Sequence, residues 1–177
     1  ALHNFGMLCR LEILAHCMEK ARRMFQAEGE PAISLTVDNA RRKQINQEVN
    51  RRLAPKEACL LESEDGPILL YKGAPLIGTK IQYGITNAIW YTVTDIADEL
   101  HLCSERGEQI CLSYEKAAKV LTLRHAMTVH KSQSRTLDGH VHICPGNKPG
   151  HVSPYWSLKH LLVAASRARS LTNLSIE

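Results

Sequence analysis

Two segments carry the residues best suited to chemistry: AMTVHKSQSRTLDG at 126–139 and LLVAASRARS at 161–170. In the first, Thr128, His130 and Lys131 set a hydroxyl, an imidazole and an ammonium side by side. Such groups can bind backbone phosphates without reading base sequence. In the second, Arg167 and Arg169 supply guanidinium groups, which stay charged and make forked contacts with phosphate oxygens. Each segment alone has a plain reading, a polar loop for the first and solvated charge at a helix end for the second. Their occurrence together, in this order and ahead of a terminal β-prone stretch, is far more specific.

The elements that must position these segments follow from periodicity. Residues 7–28 place Met7, Leu11, Leu14, Ala15, Met18, Ala21 and Phe25 at helical spacing, which predicts an amphipathic helix stopped by Gly29 and Pro31. AISLTV at 32–37 is β-prone, and Asp38 or Asn39 can cap a helix over RRKQINQEVNRRL at 41–53. A strand followed by a capped helix is the unit of an α/β sheet. From Gly66 to about Val120 the runs PILLY, PLIGTKI, IWYTVTDI and QICLSY are short and β-prone, separated by Gly73, Gly78, Gly84, Asn87 and Gly107. They predict a small barrel or β-rich insert, with a turn of helix at 113–120. Beyond it, LTLRHAMTVHKSQ is a β-prone run that breaks into polar residues, and GHVHICPG is an alternating strand. YWSLKHLLVAASRARS starts as a helix with Trp156, His160 and Val163 on one side, and LTNLSI is a last strand. The order α/β, β-rich, α/β places the middle piece between two halves of one sheet.

Composition narrows the class without deciding it. The 177 residues are 44% hydrophobic and 23% charged, ordinary values for a globular chain with a real core. No apolar run approaches the ~18–20 residues of a bilayer span, and the N-terminus has no signal-peptide pattern. We therefore expect an intracellular protein with no membrane partner; nucleus, mitochondrion and viral replication site are not distinguished. Its edges read as those of a fragment. The net charge of +4 permits nucleic-acid binding without arguing for it. Arg41, Arg42, Lys43, Arg51, Arg52 and Lys56 form one basic cluster, and Arg124, Lys131, Arg135, Lys159, Arg167 and Arg169 another. Solvated helix faces are the plain alternative for both. The six cysteines show no C-x-x-C pair and no zinc spacing. His140, His142 and Cys144 would share one face of a strand, but free buried thiols are the preferred reading and no metal site is assigned.

With these residues in view, the chain resembles the RecD-like group of superfamily 1 DNA helicases, which includes the eukaryotic mitochondrial and telomeric helicases. One family motif reads roughly Thr-x-His-Lys-Ser-Gln-Gly, matched here by Thr128, His130, Lys131, Ser132 and Gln133. A later one reads Val-Ala-x-Ser/Thr-Arg-Ala, matched by Val163, Ala164, Ser166, Arg167 and Ala168. ISLTVDNARRKQINQEVN is similar to the family's fourth motif, and GAPLIGTKIQYGITNAIWYTVTDI to the stretch that enters its SH3-like barrel. The resemblance spans about residues 31–177 and is loose outside 126–137 and 161–170.

The resemblance implies an α/β, RecA-like P-loop NTPase-type lobe, mostly a parallel sheet with flanking helices, carrying a small SH3-like β-barrel insertion. Residues 1–30 would connect to a first lobe, residues 31–65 and 121–177 would form the second lobe, and residues 66–120 the insert. Arg167 stands at the arginine-finger position, where a fixed cation meets charge developing on the γ-phosphate of ATP. Thr128, His130 and Lys131 would grip single-stranded DNA, and Gln133 would couple that grip to the nucleotide. Arg42 is a further candidate for the nucleotide, and Asn39 and Asn87 for the strand. Capping or turn formation is the plain alternative for His130 and Asn87, exposed charge that for Arg42, and a surface ion pair that for Arg169. ATP and Mg²⁺ would be bound mainly by the first lobe, since this chain has no G-x-x-x-x-G-K-[ST] and no strand ending in a magnesium-holding Asp-Glu pair. The partners are then single-stranded DNA and that N-terminal lobe. Alone, the chain is not expected to hydrolyse ATP.

Two departures stand out. The family has Gly after the Gln, where a glycine permits positive φ or close backbone approach; here that residue is Ser134. Ser166 replaces the Thr of many relatives. Function is read as the C-terminal part of an ATP-dependent helicase moving 5′ to 3′ on single strands, in replication or repair. Two alternatives are a vestigial lobe that binds single strands or a protein without turnover, and a β-barrel adaptor offering strand edges to a partner.

Overall fold

A computed structural model describes residues 2–177 of the backbone, and side chains from residue 12 onward. The chain forms two compact units, one built from residues up to Arg42 together with Met127–Glu177, the other from Lys43–Ala126.

The first unit is the α/β part. Strands β1 (Ile33–Thr36), β9 (Ala126–Thr128), β10 (Val141–Cys144) and β11 (Leu174–Ile176) form one sheet in the order β11-β10-β1-β9. β1 runs parallel to β10 and β10 parallel to β11, with Ile33 opposite Val141 and Ile143 opposite Ile176. Every residue of β1 and β9 is buried, as expected of strands covered on both faces. Helix α1 (Leu2–Met24) is longer at its start and shorter at its end than periodicity predicts. It stops early because residues just beyond it turn to β11: Gln26 bridges Ser175, and the Ala27 amide donates to the Leu174 carbonyl at 2.8 Å. Met18 and Ala21 are buried, Leu14 and Phe25 half-buried, and Ala15 exposed; the side chains of Met7 and Leu11 lie outside the described residues.

Helix α2 (Asn39–Leu53) begins where Asp38 Oδ1 accepts from the Ala40 amide at 2.6 Å, so Asp38 rather than Asn39 is the cap. Near the other end of the chain, α4 (Leu158–Ala165) starts three residues later than Tyr155. Ser157 sets that start: its hydroxyl accepts from the His160 amide while its own amide donates to His160 Nδ1 at 3.1 Å, a capping box closed by histidine. Trp156 and His160 stay together, with ring centroids 5.7 Å apart.

The second unit is β-rich. β2 (Cys59–Ser63) and β3 (Gly66–Leu70) form a hairpin. β4 (Pro75–Gly78), β5 (Trp90–Ile96), β6 (Leu100–Ser104), β7 (Gln109–Leu112) and β8 (Leu121–Leu123) form an antiparallel sheet in the order β7-β6-β5-β4-β8, with α3 (Tyr114–Val120) before β8. Leu61, Ile68, Leu76, Tyr91, Leu100 and Leu102 anchor its core. Within it, Asn46 and Asn50 lie one helical turn apart and each grips a backbone residue with both ends of its amide. Asn46 accepts from the Ala126 amide at 2.7 Å and donates to the Ala126 carbonyl at 3.1 Å; Asn50 holds Leu69 at 2.8 and 3.0 Å in the same way.

The β-prone run from Leu121 is two strands of different sheets, β8 and β9, parted at Arg124 and His125. Arg124 lies over the Trp90 ring, its guanidinium carbon 4.1 Å from the centroid. His125 is buried, and that burial, aided by the charges of Arg124 and Arg52, lowers its pKa to about 4. Among the described residues no helix is long and apolar enough to cross a membrane.

Candidate functional site

The two chemistry-bearing segments meet in the first unit. β9 ends at Thr128, and the Val129 amide donates to the Thr36 carbonyl at 2.8 Å, so β9 and β1 finish side by side. Open α/β sheets bind ligands at such carboxyl ends of strands. From there the chain enters a tight turn. The Ser132 hydroxyl, fully buried, donates to the Val129 carbonyl at 2.7 Å, and the Lys131 amide donates to Thr128 Oγ1 at 3.2 Å. The closed turn leaves His130, Lys131 and Gln133 exposed, while Thr128 itself is buried. Three of the four residues expected to bind here therefore face solvent, and the Thr128 hydroxyl braces the turn.

Ser134 sits at φ +68°, the left-handed region that favours glycine. A glycine would adopt this conformation freely, and Ser134 holds it at some steric cost.

Arg167 follows the C-cap of α4, where its amide donates to the Ala164 carbonyl at 3.1 Å. Backbone bonds stitch the two segments together: the Leu137 amide donates to the Arg167 carbonyl at 2.7 Å, the Arg169 amide to the Leu137 carbonyl at 3.2 Å, and Leu137 pairs with Ala168 as a parallel bridge. The half-buried Arg167 side chain rests on neutral acceptors only. Its Nη1 donates to the Arg135 carbonyl at 3.3 Å, its Nη2 to Ser166 Oγ at 2.9 Å, and its Nε to the Val163 carbonyl and Ser166 Oγ at 3.3 Å. Most of these bonds are longer than the usual ~2.9–3.0 Å, and no carboxylate holds this guanidinium among the described residues. An anion would replace such partners at low cost, since charge-assisted bonds are roughly twice as strong. Arg169 differs, forming an exposed ion pair with Asp138 at 2.7 Å, as expected. Sequence reasoning named Ser166 as a motif residue but not as a partner of Arg167, and it missed the Arg135 carbonyl.

Asn39 is exposed at the first turn of α2, and Arg42 is buried with Nε 3.2 Å from Asn39 Oδ1. The reading of the basic cluster as a solvated face fails at Arg41 and Arg42, which are both buried, and holds for Lys43, Arg51, Arg52 and Lys56. Asn87 belongs to the other unit, on an exposed turn next to Ala88 at φ +63°. The five described cysteines are unpaired, but only Cys144 is buried, so the expectation of free thiols holds and that of general burial does not.

No protein-family model matches the chain, and no curated protein matches it in sequence. Solved structures do share its fold. A Bacteroides Pif1 bound to single-stranded DNA superposes with a TM-score of 0.66 at 18% identity, over 90% of this chain and 44% of that one. The Pif1 helicase of Candida albicans gives 0.61 at 14% identity, over 99% and 53%. A Bacteroides sp. Pif1 in complex with ADP-AlF4 gives 0.51 at 19% identity, over 90% and 44%. The chain therefore spans about half the length of these proteins. At such identities the likeness establishes architecture: a mixed α/β chain with the parallel sheet and flanking helices of a helicase RecA-like lobe.

Proposed function

We propose that the chain is the second RecA-like lobe of an ATP-dependent superfamily 1 DNA helicase of the RecD-like group. In this reading residues 1–30 lead from a first lobe that binds most of the ATP and Mg²⁺, and residues 66–120 are an SH3-like insert. Arg167 is the arginine finger. Gln133 and Arg42 contact the nucleotide, and His130, Lys131, Asn39 and Asn87 contact single-stranded DNA, with buried Thr128 acting at the strand by holding the turn that presents His130 and Lys131. Movement is 5′ to 3′, driven by opening and closing of the cleft between lobes.

The observation that carries this reading is the backbone bridge between Leu137 and Ala168. It couples the turn bearing His130, Lys131 and Gln133 to the loop bearing Arg167, in a chain with the RecA-like fold. A residue that senses the γ-phosphate and residues that grip a strand are then mechanically one piece. The resting bonds of Arg167 to neutral oxygens fit a finger that is withdrawn until phosphate is present. They also favour a motor over a vestigial binding module, which has no γ-phosphate to meet.

The test is ATP hydrolysis by the full-length parent with and without single-stranded DNA, beside a parent lacking residues 1–177. Stimulation by DNA only when these residues are present supports the proposal. Equal, DNA-stimulated turnover without them contradicts it.

A further inference from the structure

A second group of side chains lies at the β10–β11 edge of the sheet, away from the residues assigned above. His142 and Cys144 alternate on β10 and share one face. Parallel pairing with β11 then delivers a third group. The Glu177 amide donates to the Ile143 carbonyl at 3.0 Å, which sets Glu177 beside Cys144. The result is one ligand atom each from His142, Cys144 and Glu177, all within 4.8 Å of one another.

The neighbours of the three suit a soft divalent cation. The half-buried His142 ring offers a nitrogen to the cluster. Its Nδ1 is 2.7 Å from Ser175 Oγ, the kind of outer contact that orients a ligating ring. One oxygen of Glu177 is paired with Arg41, while Oε2 is buried with only the Cys144 thiol to serve it. A thiol is a weak donor, and a cation in its proton's place would serve the carboxylate without disturbing Arg41. Cys144 ligates as the thiolate, so a bound ion must displace its proton.

We propose that His142, Cys144 and Glu177 form a site for one thiophilic divalent ion of the Zn²⁺ type, with water in the fourth position and Arg41 and Ser175 bracing the ligands. A borderline-soft ion takes this mixture of imidazole, thiolate and carboxylate in tetrahedral geometry. Binding exchanges the Cys144 proton for the metal–sulfur bond, and that proton leaves to solvent. The ion would tie β10 to the end of β11.

Titration of the 177-residue chain with Co²⁺ alone tests this. The expected result is one Co²⁺ per chain with a thiolate-to-cobalt charge-transfer absorption, displaced by Zn²⁺ and accompanied by proton release. Cys144→Ser should abolish the absorption, Glu177→Gln should weaken Co²⁺ binding by about tenfold or more, and Cys111→Ser should leave both unchanged. Circular dichroism distinguishes loss of the site from loss of the fold, and Glu177→Gln supplies an independent readout if Cys144→Ser does not fold. No charge-transfer absorption at one equivalent, absorption that survives Cys144→Ser, or unaltered affinity in folded Glu177→Gln overturns the proposal.

Discussion

Acidification should loosen the 43–126 unit through a single side chain, His125. Its imidazole is buried, with Nε2 lacking a hydrogen-bond partner, and desolvation together with the charges of Arg124 and Arg52 lowers its pKa from 6.5 to about 4. The unfolded chain takes up a proton as pH falls through about 6.5, whereas the folded chain resists until about 4. Stability is therefore complete above the unfolded value and is lost as pH falls towards the folded one. For such a pair of pKa values linkage gives a loss of about 2 kcal/mol between about pH 7.5 and about pH 5, approaching about 3 kcal/mol in stronger acid. The chain supplies its own reporter: of its two tryptophans, Trp90 lies in this unit beneath Arg124, and Trp156 in the other. In a Trp156→Phe background, urea unfolding followed by Trp90 fluorescence should lose about 2 kcal/mol over that pH interval. His125→Leu should remove most of the dependence, because it deletes the titrating group and an unpartnered polar atom together. A wild-type midpoint that does not move, or a leucine variant that moves as far as wild type, excludes this role for His125.

Other perturbations give distinct outcomes. Ser134→Gly should stabilise the α/β unit by about 0.5–1 kcal/mol, because a left-handed residue costs about 1–2 kcal/mol and glycine returns part of that as lost chain freedom; urea unfolding read by Trp156 checks it. Asn46→Ala removes both bonds to buried Ala126 and should destabilise the 43–126 unit by about 2–3 kcal/mol, read by Trp90. If Lys131 neutralises a backbone phosphate, Lys131→Ala should weaken single-strand binding regardless of base sequence. It should also make the slope of log K against log salt shallower by about 0.7, measurable by fluorescence anisotropy across a salt series.

How much of this was legible depended on whether the information was local. The amphipathic core of α1 at Met18 and Ala21, the strand at β1 and its capped helix follow from spacing and cap chemistry within a few residues. The two site segments were legible as residue types in order. Their joining through Leu137 and Ala168 was not, because it depends on a bridge between segments far apart in the chain. β2 escaped because Glu62 and Ser63 break its short apolar run, and β6 because its alternating Leu100 and Leu102 span only five residues; pairing with β3, β5 and β7 makes them strands. The division of the run at Arg124–His125 is likewise tertiary, since each half joins a different sheet. Burial of Arg41 and Arg42 could not be seen in a basic cluster, where charge argues for solvent; Arg41 is inside because Glu177 comes to meet it. Glu177 is also why alternation at His140, His142 and Cys144 alone did not define a ligand set: the third ligand arrives through the parallel register of β11.

Under the proposed function, Arg167 completes an ATP-hydrolysing cleft. The most direct measurement is DNA-stimulated ATP hydrolysis by the full-length parent and its Arg167→Ala variant, with nucleotide binding measured alongside. The expected result is a loss of turnover of about 10³-fold or more while nucleotide binding persists. A variant that hydrolyses ATP at the rate of the parent, or a parent with no turnover at all, contradicts it.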